Sequence, residues 1–526
     1  MKEKMLLLTV ALMTACPLFF SCSVDDMPIA LDEFSIEPES NAFPNEAMDE
    51  RTFTAILQAK DSVRLDTLDS NLKSGWQIGE KIAIFYQNTD GYKETAIAVV
   101  DSLDNGNAYI SATLDNAKDK GTLNLVYPAS MANDNGDIDT EQLLNQHGTL
   151  AEIVENYDAA TGSGTIEWPK NDSICSIKYP VKMKSCIAIG KIIPQKDGKA
   201  LSGIKELVAD DGTNIYRIKP TNEFFDTKGI FVAMLPISNR TVTYSVKAAK
   251  NYFCTTTGNT MHEGEVYTIT PSSLVQGAYL NLLADHYTAI DGDTLTGTLA
   301  NKYKICIAND ATVTLSSISI KGNDKDNDSY KWAGITCLGT ATLRFTGTNS
   351  VKGFHSYYPG IQAGPEGTTL TLNGDGTLQA YGGASGGAGI GSGLNITCGN
   401  ITINAGSIDA HGGFHGAGIG AGQGYNGTSK CGNIAINGGM IQAFAGRDAA
   451  GIGCGYSYST CGTITIDEKV KSLKAVRGSD DEDDDCQCIG KGSSLKTCTC
   501  DSITIKGKLY SKGVNPNTGD DTFIML

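Results

Sequence analysis

From about Ile36 to Thr270 the chain alternates apolar and polar residues in short runs broken by Asn, Asp and Gly. Alternation with period 2 predicts half-buried β-strands rather than helices. In Trp76-Gln77-Ile78-Gly79-Glu80-Lys81-Ile82-Ala83-Ile84-Phe85, residues Trp76, Ile82 and Ile84 fall on one face, and Gly79 supplies a bend. Thr122 to Pro128 and Gly229 to Pro236 read as strands closed by a proline, which cannot donate to a ladder. Gly264 to Pro271 reads as the last strand of this half. Strands at such spacing predict one or two β-sandwiches.

Beyond residue 273 the pattern changes to a repeat. Gly387-Ala388-Gly389-Ile390-Gly391 returns as Gly416 to Gly420 and again as Ala449 to Gly453. Each copy is followed by a Cys-Gly-x-Ile-x-Ile run, beginning at Cys398, Cys431 and Cys461, with a degenerate copy at Cys500. The copies are 33, 30 and 39 residues apart, and 24 of the 60 glycines lie between residues 381 and 460. A period near 30 with three short strands and no helix predicts a parallel β-helix, right-handed by the general rule for parallel crossovers. Alternation places Ile401, Ile403, Ile408 and Ile419 in its core.

Stacked coils bring equivalent residues to about 4.8 Å, within the Cα separation a disulfide tolerates. Cys398, Cys431, Cys461 and Cys500 therefore form a column, either of disulfides or of buried thiols packed as small apolar groups. Cys486-Gln487-Cys488 and Cys498-Thr499-Cys500 lack the Cys-x-x-Cys spacing of a zinc site, so no metal is expected.

Charge narrows the function classes. Asp and Glu outnumber Lys and Arg by 59 to 42, a net charge of −17, and no basic cluster exists to bind nucleic acid. The repeat holds only Arg344, Arg447 and Arg477, and its cleanest coils carry only Asp409 and Asp448 as acids. That is too little for the cation and base of a lyase or the paired carboxylates of a hydrolase, so no enzyme and no cofactor are expected. Asp324 to Asp328 lacks the Gly and Glu of a calcium loop, and Asp480 to Asp485 reads as hydrated surface charge.

The N-terminus reads as an export signal. Lys2 and Lys4 precede an apolar stretch from Met5 to Phe20. Phe19-Phe20-Ser21-Cys22 resembles a bacterial lipobox, with Cys22 as the lipidation site and Cys16 as the competing one. Ser23-Val24-Asp25-Asp26 resembles the surface-export signal of Bacteroidetes lipoproteins. A lipid anchor in the outer membrane, with the chain at the cell surface, is the resulting expectation.

The Trp76 to Ile82 element, the strand ending at Pro128 and the closing Gly264-Glu265-Val266-Tyr267-Thr268-Ile269 strand occur in the order found in the fimbrillin-like lipoproteins of Bacteroidales, which this region resembles. The resemblance implies two transthyretin-like sandwiches and a place in a fimbria. It further implies processing after an arginine, here Arg51, and donor-strand exchange with other fimbrial subunits, although an ordinary surface arginine remains the alternative. The expected organisation is a signal peptide at 1–21, a linker at 22–34, sandwiches at 35–176 and 177–272, and the β-helix at 273–526. The fold class is thus all-β.

Aligned coils place Tyr381, His411, Phe444 and Val476 just after the second strand. Three rings at one corner predict a platform for sugar faces, with Asp409, Gln379, Gln442 and His415 near enough to bond hydroxyls. Tyr330, Trp332, Tyr357 and Tyr358, in loops of earlier coils, extend it. Stacked rings also stabilise a solenoid corner without any ligand, and the residues leave both readings open. The repeat resembles carbohydrate-binding and adhesive repeat domains of bacterial surface proteins. A surface adhesin, a tip or accessory fimbrial subunit with a glycan or host ligand, is the expected function. The alternative is a glycan-binding or polysaccharide-cleaving lipoprotein with the sandwiches as spacer.

Overall fold

The computed structural model describes residues 50–58, 75–168, 174–177, 179–226, 228–300, 302–323, 327–478, 486–493, 497–518 and 521–526. The export signal, both lipobox cysteines, most of the 324–328 loop and the acidic run at 480–485 lie outside these residues. Residues 50–526 form one compact unit.

An eight-stranded sheet opens the described chain, with Glu50–Leu57 between Asn107–Asp115 and Ile174–Ser176. Strands from both ends of the sheet share one core: Phe53 and Cys175 from one side and Ala160 and Ile166 from the other join Ile82, Ile84 and Leu125, so the sheet folds over onto itself. Trp76, Ile82 and Ile84 belong to this core, as alternation predicts. Ala83 and Phe85, on the opposite face of Lys81–Gln87, are buried with Val126 in a small separate cluster. That strand is therefore covered on both sides.

The next layer pair is a sandwich. Ala188–Ile192, between Ile230–Met234 and Val266–Ile269, faces a sheet containing Glu206–Asp210, Ile215–Ile218, Ile237–Lys247 and Asn251–Met261. Met131, Leu143, Ile153 and Ala159 also pack into this second core, although they precede residue 177. Gln146 shows why this crossing is stable. Its buried amide donates to Ala233 O at 2.7 Å and accepts from Ala233 N at 2.9 Å, so a buried polar side chain is satisfied by one strand's backbone.

No break separates this sandwich from the repeat. Asn251–Met261 pairs with Val275–Tyr279, which pairs in parallel with Thr294–Leu299, and the ladder continues coil by coil. The sandwich thereby covers the first edge of the solenoid, which would otherwise offer unpaired N–H and C=O groups. At the other end Thr522–Met525 lies antiparallel on Ser472–Val476, and Lys508–Leu509 folds back on Ile503–Ile505.

Inside the coils, Ile305, Ile335, Ile361, Ile390, Ile419, Ile452 and Ile489 stack in one register-matched column. Ile401, Ile403, Ile408 and Ile419 are all core residues, as alternation requires. The glycines beside that column have a steric reason. Gly391, Gly420, Gly453 and Gly490 take φ of 130–140°, and a Cβ on Gly420 would stand 2.0 Å from Gly453 O.

Candidate functional site

Thr377–Tyr381, Ser407–His411 and Met440–Phe444 are parallel and in register, which aligns Tyr381 with His411 and His411 with Phe444. Leu378, Ala380, Ile408, Ala410, Ile441 and Ala443 point inward and are buried. Alternation then turns residues 379, 381, 409, 411, 442 and 444 outward.

The three rings do meet. Tyr381 and His411 stack with centroids 5.0 Å apart and planes 16° apart, and His411 and Phe444 with 4.6 Å and 8°. This geometry corrects the expected platform. Both faces of His411 are covered by its neighbours, so the column offers ring edges along its length rather than flat faces. Asp409 Oδ1 lies 2.8 Å from His411 Nε2, at the edge of that ring but without hydrogen-bond geometry. Lys474 Nζ stands 5.2 Å from the Phe444 centroid and covers the last face. Burial and the Asp409 charge raise the Tyr381 phenol above its ordinary pKa.

Two residues earlier on each strand runs a polar row. Gln379, Asp409, Gln442 and Lys474 occupy equivalent register positions. Lys474 was not singled out by the aligned sequence, yet register alone would have found it. A second missed feature is an outward column of Thr312, Thr342, Thr371, Thr402, Thr465 and Thr504, interrupted by Ala435.

His415 belongs to a different cluster. It stacks on Tyr456 at 4.6 Å and meets Phe414 edge-on at 4.6 Å, with Asp448 3.8 Å from its Nδ1. Phe414 is about half exposed, and the Arg447 guanidinium lies 6.0 Å from its ring. No repeat position joins His415 to Tyr456, so alignment of coils could not reveal the pair. Tyr330 and Trp332 form a third group with His286, at 5.5 and 5.3 Å from the Trp332 ring. They line a cleft of about 520 Å³ with Asp285, Lys302 and Tyr303. Tyr357 and Tyr358 flank His355 at 5.3 and 5.9 Å.

Arg51 sits within Glu50–Leu57, its backbone paired with Leu114. Its guanidinium donates to Ala117 O at 3.1 Å and to Asp119 at 2.8 Å, and lies 5.2 Å from the Trp168 ring. With a side chain only 17% exposed, it is not the ordinary surface arginine. The peptide bond after it lies inside a ladder, so a protease reaches it only when this strand leaves the sheet.

The cysteine column is present as thiols. Cys431 pairs in register with Cys461, and Cys461 with Cys500. Among the described residues no group of three or more His, Cys, Asp or Glu side chains is placed to hold a metal ion. None of the described helices is long and apolar enough to cross a membrane.

Comparison with known proteins bears on the coils. Residues 370–394, 401–423 and 434–456 match the family model of the beta helix repeat. The solenoid is a β-helix. No curated protein matches the chain. Among solved structures, the chain is similar to a fimbrial protein from Bacteroides ovatus at 12% identity and a TM-score of 0.23, covering 42% of this chain and 48% of that one. It is also similar to a fimbrial assembly protein from Parabacteroides distasonis, at 14% identity and 0.25, over 43% and 95% of the two chains. A third is the tip fimbrial protein Mfa3 from Porphyromonas gingivalis with C-terminal truncation, at 10% identity and 0.20, over 40% and 81%.

Proposed function

We propose that this chain is a non-enzymatic adhesive protein of the cell surface, whose β-helix binds a saccharide along the ridge built by Tyr381, His411 and Phe444. The observation that carries this reading is the pairing of a rigid ring column with a parallel polar row, Gln379, Asp409, Gln442 and Lys474, on the same three to four strands. Ring edges and the methylene stem of Lys474 supply apolar contact. The polar row supplies a hydrogen-bonding group roughly every 4.8 Å, so that successive coils could bond to successive parts of an extended chain. Tyr381 ends the column, with Lys352 beside it in register on the preceding coil.

Anchoring by a lipid on Cys22 and assembly with other fimbrial subunits belong to the same reading. Glu50–Leu57 fills a slot between two strands and buries Phe53 and Leu57. Cleavage after Arg51 would remove the chain up to that residue and leave Thr52–Leu57 as a new N-terminus, whose withdrawal from the slot would open a groove for a neighbour's strand.

The test is binding of the full chain to an array of neutral and acidic polysaccharides. The expected result is binding that falls about tenfold in Phe444→Ala and Gln442→Ala, in line with loss of one buried contact each. Absence of binding to every saccharide removes the ridge as a sugar site and leaves a protein receptor as the ligand class.

A further inference from the structure

The last two coils hold a pair of thiols that register does not align. Cys454 follows Ile452–Gly453, and Cys498 precedes Thr499–Cys500. Cys454 Sγ lies 3.2 Å from Thr499 O, beside Cys498, while Cys498 Sγ lies 3.7 Å from Gly455 O, beside Cys454. Each thiol thus donates to the backbone carbonyl next to the other cysteine, so the two side chains cross reciprocally. The neighbouring column differs: Cys431, Cys461 and Cys500 each reach a carbonyl beside the preceding cysteine, at Gly399, Gly432 and Gly462, in one direction along the stack.

The chain between them carries Asp480 to Asp485, a run of like charges that repel. The coil beyond it is joined by short ladders, Ile489–Gly490, Thr499–Cys500 and Ile503–Ile505. A cross-link at this place would close a loop of 44 residues and hold the least-paired coil to the rest.

We propose that Cys454 and Cys498 are a disulfide-forming pair that staples the last coil of the β-helix to the one before it. The oxidant is a small-molecule or protein disulfide. Cys498, as thiolate, attacks one sulfur of that disulfide, forms a mixed disulfide and releases one thiolate. Cys454, having lost its proton, then attacks the Cys498 sulfur and releases the second thiol. Two protein thiols give up two electrons and two protons, and the oxidant leaves as two thiols. The roles follow the local charges. The neighbouring Cys454 thiol, the backbone at Gly492 and Lys491 lower the Cys498 pKa, whereas the neighbouring Cys498 sulfur and burial raise that of Cys454.

The experiment treats the full chain with oxidised glutathione, quenches in acid, alkylates in denaturant with N-ethylmaleimide and maps peptides without reduction. A peptide linking Cys454 to Cys498 is the expected result, together with a rise of about 5 °C in the apparent Tm that dithiothreitol reverses. In Cys454→Ser the link disappears and Cys498 retains one glutathione. Maleimide on both residues after oxidation, or a link from Cys500 to Cys461 in place of this one, overturns the assignment. The comparison of oxidised and reduced wild-type chain needs no variant and so stands even where Cys454→Ser fails to fold.

Discussion

His411 and Phe444 lie face to face, with ring centroids 4.6 Å apart and planes 8° apart. Tyr381 covers the opposite face of His411, and Asp409 lies against its edge. The imidazole is therefore the centre of the ridge, and its removal should be felt on both sides. We expect His411→Ala to cost about 1–2 kcal/mol, two ring contacts at about 0.5–1.5 kcal/mol each with some relaxation. A urea midpoint unchanged from wild type would show that the stack forms without stabilising the coil.

The glycines at the tight corner make a sharper case. Gly420→Ala places a methyl against Gly453 O in a backbone that L-residues avoid. A loss of about 3–5 kcal/mol, or failure to fold, is expected. Gly121→Ala is the control, since nothing lies within 4 Å of its Cβ position. Equal effects of the two substitutions in thermal denaturation would remove the steric argument.

The end of the β-helix is covered, and uncovering it should have a consequence. Deletion of residues 522–526 frees the outer edge of Ser472–Val476, now occupied by Thr522–Met525. An unpaired parallel edge is a template for another chain. Light scattering after size exclusion should show concentration-dependent association of the truncated chain. A strictly monomeric truncation would mean that other residues guard this edge.

Buried protons set the alkaline limit of the fold. Burial pushes the thiol of Cys254 up to about 11 and those of Cys337 and Cys486 up to about 12, and the phenol of Tyr216 up to about 12. In the unfolded chain the thiols ionise near pH 8.5–9, so above that range the native state binds more protons than the unfolded one. Stability then falls with rising pH, from about pH 9 up to the native values, and the thiol contribution is intact below it. Urea midpoints measured from pH 8 to pH 11 should decline; a flat series would show that these groups ionise alike in both states.

Much of this architecture is legible in the residues. The period of the Gly-Ala-Gly-Ile-Gly and Cys-Gly-x-Ile-x-Ile runs is the length of one coil, and each coil contacts the next. Sequence offset therefore equals spatial register, which is why the inward isoleucines, the cysteine column and the alignment of Tyr381, His411 and Phe444 could be read directly. In the sandwich half, alternation marked the buried face of Trp76, Ile82 and Ile84 for the same reason, since period 2 maps onto the two sides of a strand. Between the two readings open at position 51 the residues could not decide, because the burial of Arg51 depends on Ala117, Asp119 and Trp168, distant in sequence.

What the chain alone determined is the set of strands, their period and the order in which coils stack, because these follow from local alternation and from a repeat that pairs with itself. Tertiary structure decided the rest. It turned the rings toward one another, since side-chain rotation depends on the spacing of three strands at once. It joined His415 to Tyr456 and Cys454 to Cys498, whose positions are set by corners of unequal length. It also carried Met131, Leu143 and Ile153 into the second core, and continued Asn251–Met261 into the β-helix through Val275–Tyr279. Those contacts link segments that share no period, and only packing of the whole chain brings them together.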